Sequence, residues 1–131
     1  MNSSVKNAKE IFEKYHRFDD GLIISFEYFY EKNCPLSAKI VLFAKDHSSN
    51  KDIWRKVFIT IKDVQELCAK IKGNQFNSIS NSVKLMDFDG LWCIDIDGTY
   101  DLAEDPSSLE EVRKYGECYV LGKEIEVFEA D

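Results

Sequence analysis

The sequence lacks the patterns by which several classes of protein are identified. It contains no C-x-x-C pair, no glycine-rich phosphate loop and no internal repeat, and His16 and His47 lie far from the four cysteines. These absences give little support for a zinc site, a nucleotide-binding loop or a repeat architecture. No apolar run approaches the length of about 18 residues expected for a membrane helix, and the N-terminus lacks the apolar core of a signal peptide. We therefore expect a cytoplasmic protein with reduced cysteines.

Catalytic and metal-binding patterns are equally scarce. No nucleophile–base arrangement accompanies either histidine, and neither acidic string at Asp87 or Asp95 has the ligand spacing of an EF-hand loop. We expect no enzymatic activity, no cofactor and no resident metal.

The composition is that of a folded domain. The chain has 131 residues, of which 44% are hydrophobic and 13% aromatic. This is enough apolar material for a core without metals or disulfides, and the length corresponds to one domain over residues 1–131.

Charge is distributed unevenly along the chain. Residues 87–131 contain 14 acidic and three basic side chains, a net charge of −11, whereas residues 1–86 carry +4. Concentrated like charge destabilises a fold but accelerates encounter with a basic partner. The alternative interpretation is a solvated face that keeps the protein soluble.

Periodicity indicates two helices. Apolar residues from Val5 to Tyr15 recur at three- and four-residue spacing, and Ser3 or Ser4 can cap the start of this helix. Ser107 and Glu110 form a capping-box pattern that predicts a second helix over Leu109–Tyr115, ending at Gly116.

The remaining apolar segments predict strands, most of them joined by hairpin-length turns. Two of these turns are Asp89-Gly90 and Gly122-Lys123. Val64–Ile71 fits either a helical stripe or a strand. The predicted strands are Leu22–Tyr30, Ala38–Lys45, Ile53–Ile61, Val83–Met86, Leu91–Ile96, Cys118–Leu121 and Glu124–Phe128. We expect an α+β domain of mainly antiparallel strands, sandwich-like or a strongly curved sheet, with an N-terminal helix and a short helix near the C-terminus.

One string resembles an enzyme motif. Trp92–Thr99 (WCIDIDGT) resembles the first motif of the haloacid dehalogenase phosphatases, which implies that Asp95 is the nucleophile and Asp97 the general acid. That motif opens a parallel-sheet domain. Only 32 residues follow Thr99, too few for the crossovers of such a sheet. A metal-dependent phosphatase is therefore the alternative, not the favoured interpretation.

Three segments, one of which overlaps this string, resemble small bacterial immunity proteins encoded beside polymorphic or contact-dependent growth inhibition toxins. They are WRKVFITIKDVQEL (54–67), NSISNSVKLMDFDGLWCIDID (77–97) and CYVLGKEIEVFE (118–129). The resemblance implies a non-enzymatic α+β domain, with Val64–Ile71 as a strand, that binds a cognate toxin, often a nuclease, and occludes its active site.

We accordingly expect a toxin inhibitor that acts through protein–protein interaction, with no nucleic-acid or membrane partner. An adaptor or structural module is the third possibility. On Leu91–Ile96, we expect Trp92, Ile94 and Ile96 to face the core and Asp95 to project outward. The candidate interface residues are Asp87, Asp89, Asp95, Asp97, Asp101, Glu104 and Asp105.

Overall fold

The computed structural model describes residues 2–70, 79–80, 82–96 and 105–130. These residues form a six-stranded antiparallel sheet with two helices, which confirms the α+β class and the expectation of at least six strands. The elements in chain order are α1 (Asn2–Lys14), β1 (Leu22–Tyr30), β2 (Leu36–Lys45), β3 (Trp54–Ala69), β4 (Val83–Phe88), β5 (Leu91–Ile96), α2 (Leu109–Tyr115) and β6 (Cys118–Ala130).

The sheet has the strand order β1-β2-β3-β6-β5-β4. β6 therefore lies at its centre and is inserted between β3 and β5. An isolated bridge pairs Leu22 with Ile79, which brings the start of β1 next to the segment before β4. The two edges approach each other at this end, so the sheet curves without closing.

The main core lies between α1 and one face of the sheet. Apolar residues at three- and four-residue spacing put Ala8, Ile11 and Phe12 on the buried face of the helix, and Tyr15, directly after it, is buried as well. They pack against alternate residues of the strands, among them Ile59. Burial of each large apolar side chain stabilises the fold by roughly 1.5–3 kcal/mol.

A second, smaller core lies on the opposite face of β4, β5 and β6. Val112 of α2 packs there with Met86, Cys93, Tyr119 and Leu121. β5 is consequently buried on both faces.

The helix caps differ in detail from the sequence prediction. α2 spans Leu109–Tyr115 as predicted, but its N-cap is Ser108, whose Oγ accepts a hydrogen bond from the Glu111 amide at 3.2 Å. The carboxylate of Glu111, not of Glu110, reaches back to the backbone N–H of Ser107 at 3.0 Å. The capping box was thus predicted one residue too early.

The N-terminal cap prediction was also wrong. α1 begins at Asn2, so Ser3 and Ser4 lie within the helix.

β3 and β6 are longer than the sequence suggested. β3 continues through Val64 to Ala69, which resolves the ambiguity of this segment in favour of a strand up to that residue. β6 runs unbroken through Gly122, so the predicted hairpin at Gly122-Lys123 is wrong. Gly122 instead pairs with Val64, next to a register shift at which Gln65 has no opposite residue in β6. A glycine inside a strand marks such irregular positions and close backbone approach.

Candidate functional site

Asp87 and Asp89 lie at the tight turn that joins β4 to β5. Asp89 and Gly90 adopt φ values of +56° and +87°, as the Asp-Gly pair predicted. The Asp87 carboxylate accepts a hydrogen bond from the Gly90 N–H at 2.8 Å. Both aspartates are exposed, and among the residues that the structure describes neither forms an ion pair. Their charge is therefore directed to solvent.

Asp105 is exposed but its charge is paired. Both of its carboxylate oxygens accept hydrogen bonds from the Arg17 guanidinium, at 2.8 and 2.9 Å. A bidentate pair of this kind is geometrically specific. Asp105 consequently presents less free negative charge than the two turn aspartates.

Asp95 does not project outward, contrary to the sequence prediction. It is fully buried, as is Cys93 on the same face. The alternation was assigned correctly, since Trp92, Ile94 and Ile96 do face the main core. The second face is covered by α2 and by Tyr119 and is not open to solvent.

Burial and a nearby negative charge both raise the pKa of the Cys93 thiol. Desolvation, reinforced by the nearby charge of Asp95, raises the pKa of its thiol to about 12. Asp95 also lies close to Gly116, where an added Cβ would be 2.8 Å from Asp95 Oδ2. Asp95 is therefore a residue of the interior, and it is not available to a partner. The other candidates, Asp97, Asp101 and Glu104, lie outside the described residues.

The surroundings of Asp95 differ from those that the phosphatase motif requires. β5 is antiparallel to both of its neighbours, β4 and β6. The nucleophilic aspartate of that motif stands instead at the exposed carboxyl end of a parallel strand.

We expect Asp95→Ala to lower the free energy of unfolding by about 1–3 kcal/mol, because the fully buried Asp95 interacts with other residues, and removal of one side of a buried polar interaction is costly. Denaturant titration measures this change. Hydrolysis of a generic phosphate ester with magnesium, abolished by Asp95→Asn in a protein that still folds, would show that the motif is catalytic.

A partly buried ionic cluster joins the ends of four elements, and sequence reasoning missed it. Arg55 contacts the Asp46 carboxylate, which is only 4% exposed. Lys14 Nζ lies 2.8 Å from Glu129 Oε2 and 3.7 Å from Asp46 Oδ2. Tyr15 donates its hydroxyl hydrogen bond to the same oxygen of Glu129 at 2.7 Å. Two cations and two carboxylates balance one another in this cluster.

The cluster changes the acidity of two of its members. Burial opposes ionisation of Asp46, but hydrogen bonds from Ser48 and Arg55 and the charge of Lys14 outweigh it and lower the pKa to about 2. Burial and the hydrogen bond to Glu129 raise the pKa of Tyr15 to about 12.

A strained turn follows α1. His16, Arg17 and Phe18 have φ values of +50°, +54° and +59°, and Asp20 has +62°. Left-handed backbone costs roughly 1–2 kcal/mol per residue other than glycine. Complete burial of Phe18, which stacks on Tyr15 at a centroid distance of 5.6 Å, offsets part of this cost.

The turn places the two histidines together. The rings of His16 and His47 stack at a centroid distance of 3.7 Å and an interplanar angle of 2°. Neither histidine was assigned a catalytic or zinc-binding role from the sequence, and nothing in their spacing indicated the contact.

Two hollows are lined by both of the stacked histidines. The first, of about 320 Å³, also contains Trp54. The second, of about 390 Å³, lies beside the C-terminal half of α1. The first is lined by His16, Asp19, Asp20, Lys45, His47 and Trp54. The second is lined by Glu10, Glu13, Lys14, His16, His47 and Ser48.

Metal binding receives no support from these side chains. Within residues 2–70, 79–80, 82–96 and 105–130, no three His, Cys, Asp or Glu side chains are placed to hold a metal ion together. In the same residues, no helix has both the length and the apolar character needed to cross a membrane.

Comparison with known proteins gave no matching protein family, no matching curated protein and no matching solved structure.

Proposed function

We propose that this protein is a cytoplasmic immunity protein that binds a cognate bacterial toxin domain, of nuclease type, and occludes its active site. The observation that carries the proposal is the net charge of −11 over residues 87–131. A nuclease is basic where it holds phosphate, so an acidic surface is complementary to it. The resemblance of residues 54–67, 77–97 and 118–129 to immunity proteins supplies the class of partner.

The turn between β4 and β5 is the best-defined part of the proposed surface. Asp87 and Asp89 are exposed there without ion pairs in the described part of the chain. Asp105 contributes less because of Arg17. On the basis of the sequence alone, the proposed surface also includes Asp97, Asp101 and Glu104. Asp95 is excluded because it is buried. The proposal involves no cofactor, nucleic acid or membrane.

Neutralising the turn is expected to slow partner association. The charges of an interface together raise the association rate by about 10- to 1,000-fold. We expect the double substitution Asp87→Asn with Asp89→Asn to lower the association rate roughly three- to tenfold at low salt. The effect fades at high salt because ions screen exposed charges. Association rates measured against a basic toxin domain at two salt concentrations test this.

The matched control is Glu27→Gln with Glu31→Gln. Both glutamates are exposed at or just after β1, which lies at the opposite edge of the sheet from β4. The control removes the same charge, and we expect it to change the rate less. Equal rates for wild type, turn variant and control at both salt concentrations would mean that the acidic region is only a solvated face. An adaptor or structural module would then be the better interpretation.

A further inference from the structure

We propose that the hollow beside the stacked histidines is a binding site for an arginine side chain presented by a protein partner. The site is lined by Asp19, Asp20, Trp54, His16, His47 and Lys45. This inference rests on the proposed function, because a basic toxin domain is the partner that would supply the arginine. It adds an anchoring site on residues other than those of the acidic turn.

The charge in the hollow is negative. Lys45 is the cation among its lining residues, and its Nζ lies 3.9 Å from the Asp52 carboxylate. Asp19 and Asp20 are exposed, and the structure records no ion pair for either carboxylate among the described residues. The two lining carboxylates therefore outnumber the one lining cation, and that cation also contacts Asp52.

The aromatic wall is held in place before any ligand arrives. The indole Nε1–H of Trp54 donates a hydrogen bond to Asp52 at 3.0 Å, and its ring packs on Phe43 at a centroid distance of 5.5 Å. The stacked histidines form a second planar surface, and the backbone N–H of His47 is bound to the Lys14 carbonyl at 3.0 Å. Such pre-organisation reduces the entropy that binding would otherwise cost.

The chemistry of these walls matches a guanidinium group. Guanidinium is planar, stacks on aromatic faces and forms bidentate hydrogen bonds with carboxylates, whereas an ammonium ion is a compact and strongly hydrated charge. The volume of about 320 Å³ is at the lower end of the range of roughly 300–1,000 Å³ for ligand clefts. A single long side chain suits this size, and arginine is among the residues enriched at the energetic centres of protein interfaces.

The test uses capped arginine, N-acetyl-arginine amide, titrated into the full chain and followed by NMR. We expect saturable shifts at the Trp54 indole N–H and at residues around His16 and His47. Asp19→Asn with Asp20→Asn should weaken binding at least about tenfold, since charge-assisted hydrogen bonds are lost. Capped lysine should bind more weakly than capped arginine.

The matched control is Asp87→Asn with Asp89→Asn, which removes the same charge from another pair of exposed aspartates. Each pair includes one residue with positive φ, +62° at Asp20 and +56° at Asp89, and asparagine tolerates that conformation. Thermal unfolding establishes that both variants fold. Equal weakening by the two variants, an absence of saturable shifts, or the same shifts produced by inorganic phosphate at matched ionic strength would overturn the proposal.

The partner experiment separates this inference from the proposed function. With a basic toxin domain, we expect the Asp19/Asp20 variant to dissociate faster and the Asp87/Asp89 variant to associate more slowly. Toxin binding with an unchanged dissociation rate in the Asp19/Asp20 variant would overturn the arginine site and leave the immunity function standing. Carboxylate-dependent binding of capped arginine, without binding of any toxin, would support the site and count against the immunity function.

Discussion

Gly122→Val is expected to lower the free energy of unfolding by at least about 3 kcal/mol, because overpacking a well-filled core typically costs 1–3 kcal/mol and here the contact includes backbone. A Cβ at Gly122 would lie 2.3 Å from Ile61 Cγ2 and 2.9 Å from the Lys62 carbonyl oxygen. Ile61 is fully buried and has little space to move into. Denaturant and thermal unfolding measure the loss, which corresponds to roughly 10 °C in Tm.

Two comparisons isolate the steric cause. At Gly90 nothing lies within 4 Å of an added Cβ, so Gly90→Ala should cost only the roughly 1–2 kcal/mol of its left-handed backbone. Ile61→Leu removes the β-branch that holds Cγ2, and combined with Gly122→Val it should cost less than the sum of the two single changes. A loss of about 1 kcal/mol or less for Gly122→Val alone would mean that Gly122 is not packed against β3.

Gly122 also shows why part of the fold could not be predicted from the sequence. The pair Gly122-Lys123 between two apolar runs has the local signature of a hairpin turn. Its actual role depends on β3, whose Val64 it pairs with across a gap of 58 positions in the sequence. By contrast, the Asp89-Gly90 turn and the helix over Leu109–Tyr115 depend on neighbouring residues, and both were predicted correctly.

Long-range contacts also limited how much of the candidate site could be predicted from the sequence. The alternation along β5 gave the correct partition of its two faces, but it could not reveal that α2 covers the face with Asp95. The ionic cluster joins residues as far apart as Lys14 and Glu129, and the stacked histidines require a left-handed turn that no sequence pattern encodes. The count of charged residues indicated an acidic region. It could not show which carboxylates are paired with a cation, as Asp105 is with Arg17.

Asp46→Asn is expected to destabilise the protein by roughly 3 kcal/mol near neutral pH, the lower end of the range for breaking a buried ion pair. The carboxylate is 4% exposed and lies against Arg55, whose own side chain is 24% exposed. The lower end applies because Arg55 keeps a second carboxylate, that of Glu129, at 3.8 Å. Asp52→Asn is the matched control, because Asp52 is 78% exposed and lies 3.9 Å from an exposed Lys45.

The pH dependence identifies the charge, and not the shape, of Asp46 as the stabilising feature. Its folded pKa is about 2, below the ordinary value of 3.8. Between these values the unfolded chain binds the proton and the folded protein does not, so stability increases with pH over this window. The contribution of Asp46 is therefore fully present above about pH 4 and is lost as the pH falls toward 2. Unfolding curves for wild type and Asp46→Asn should accordingly converge as the pH falls from 4 to 2, whereas those for Asp52→Asn should follow wild type throughout. A difference between wild type and Asp46→Asn that stays constant from pH 7 to pH 2 would assign the stabilisation to packing and hydrogen bonding alone.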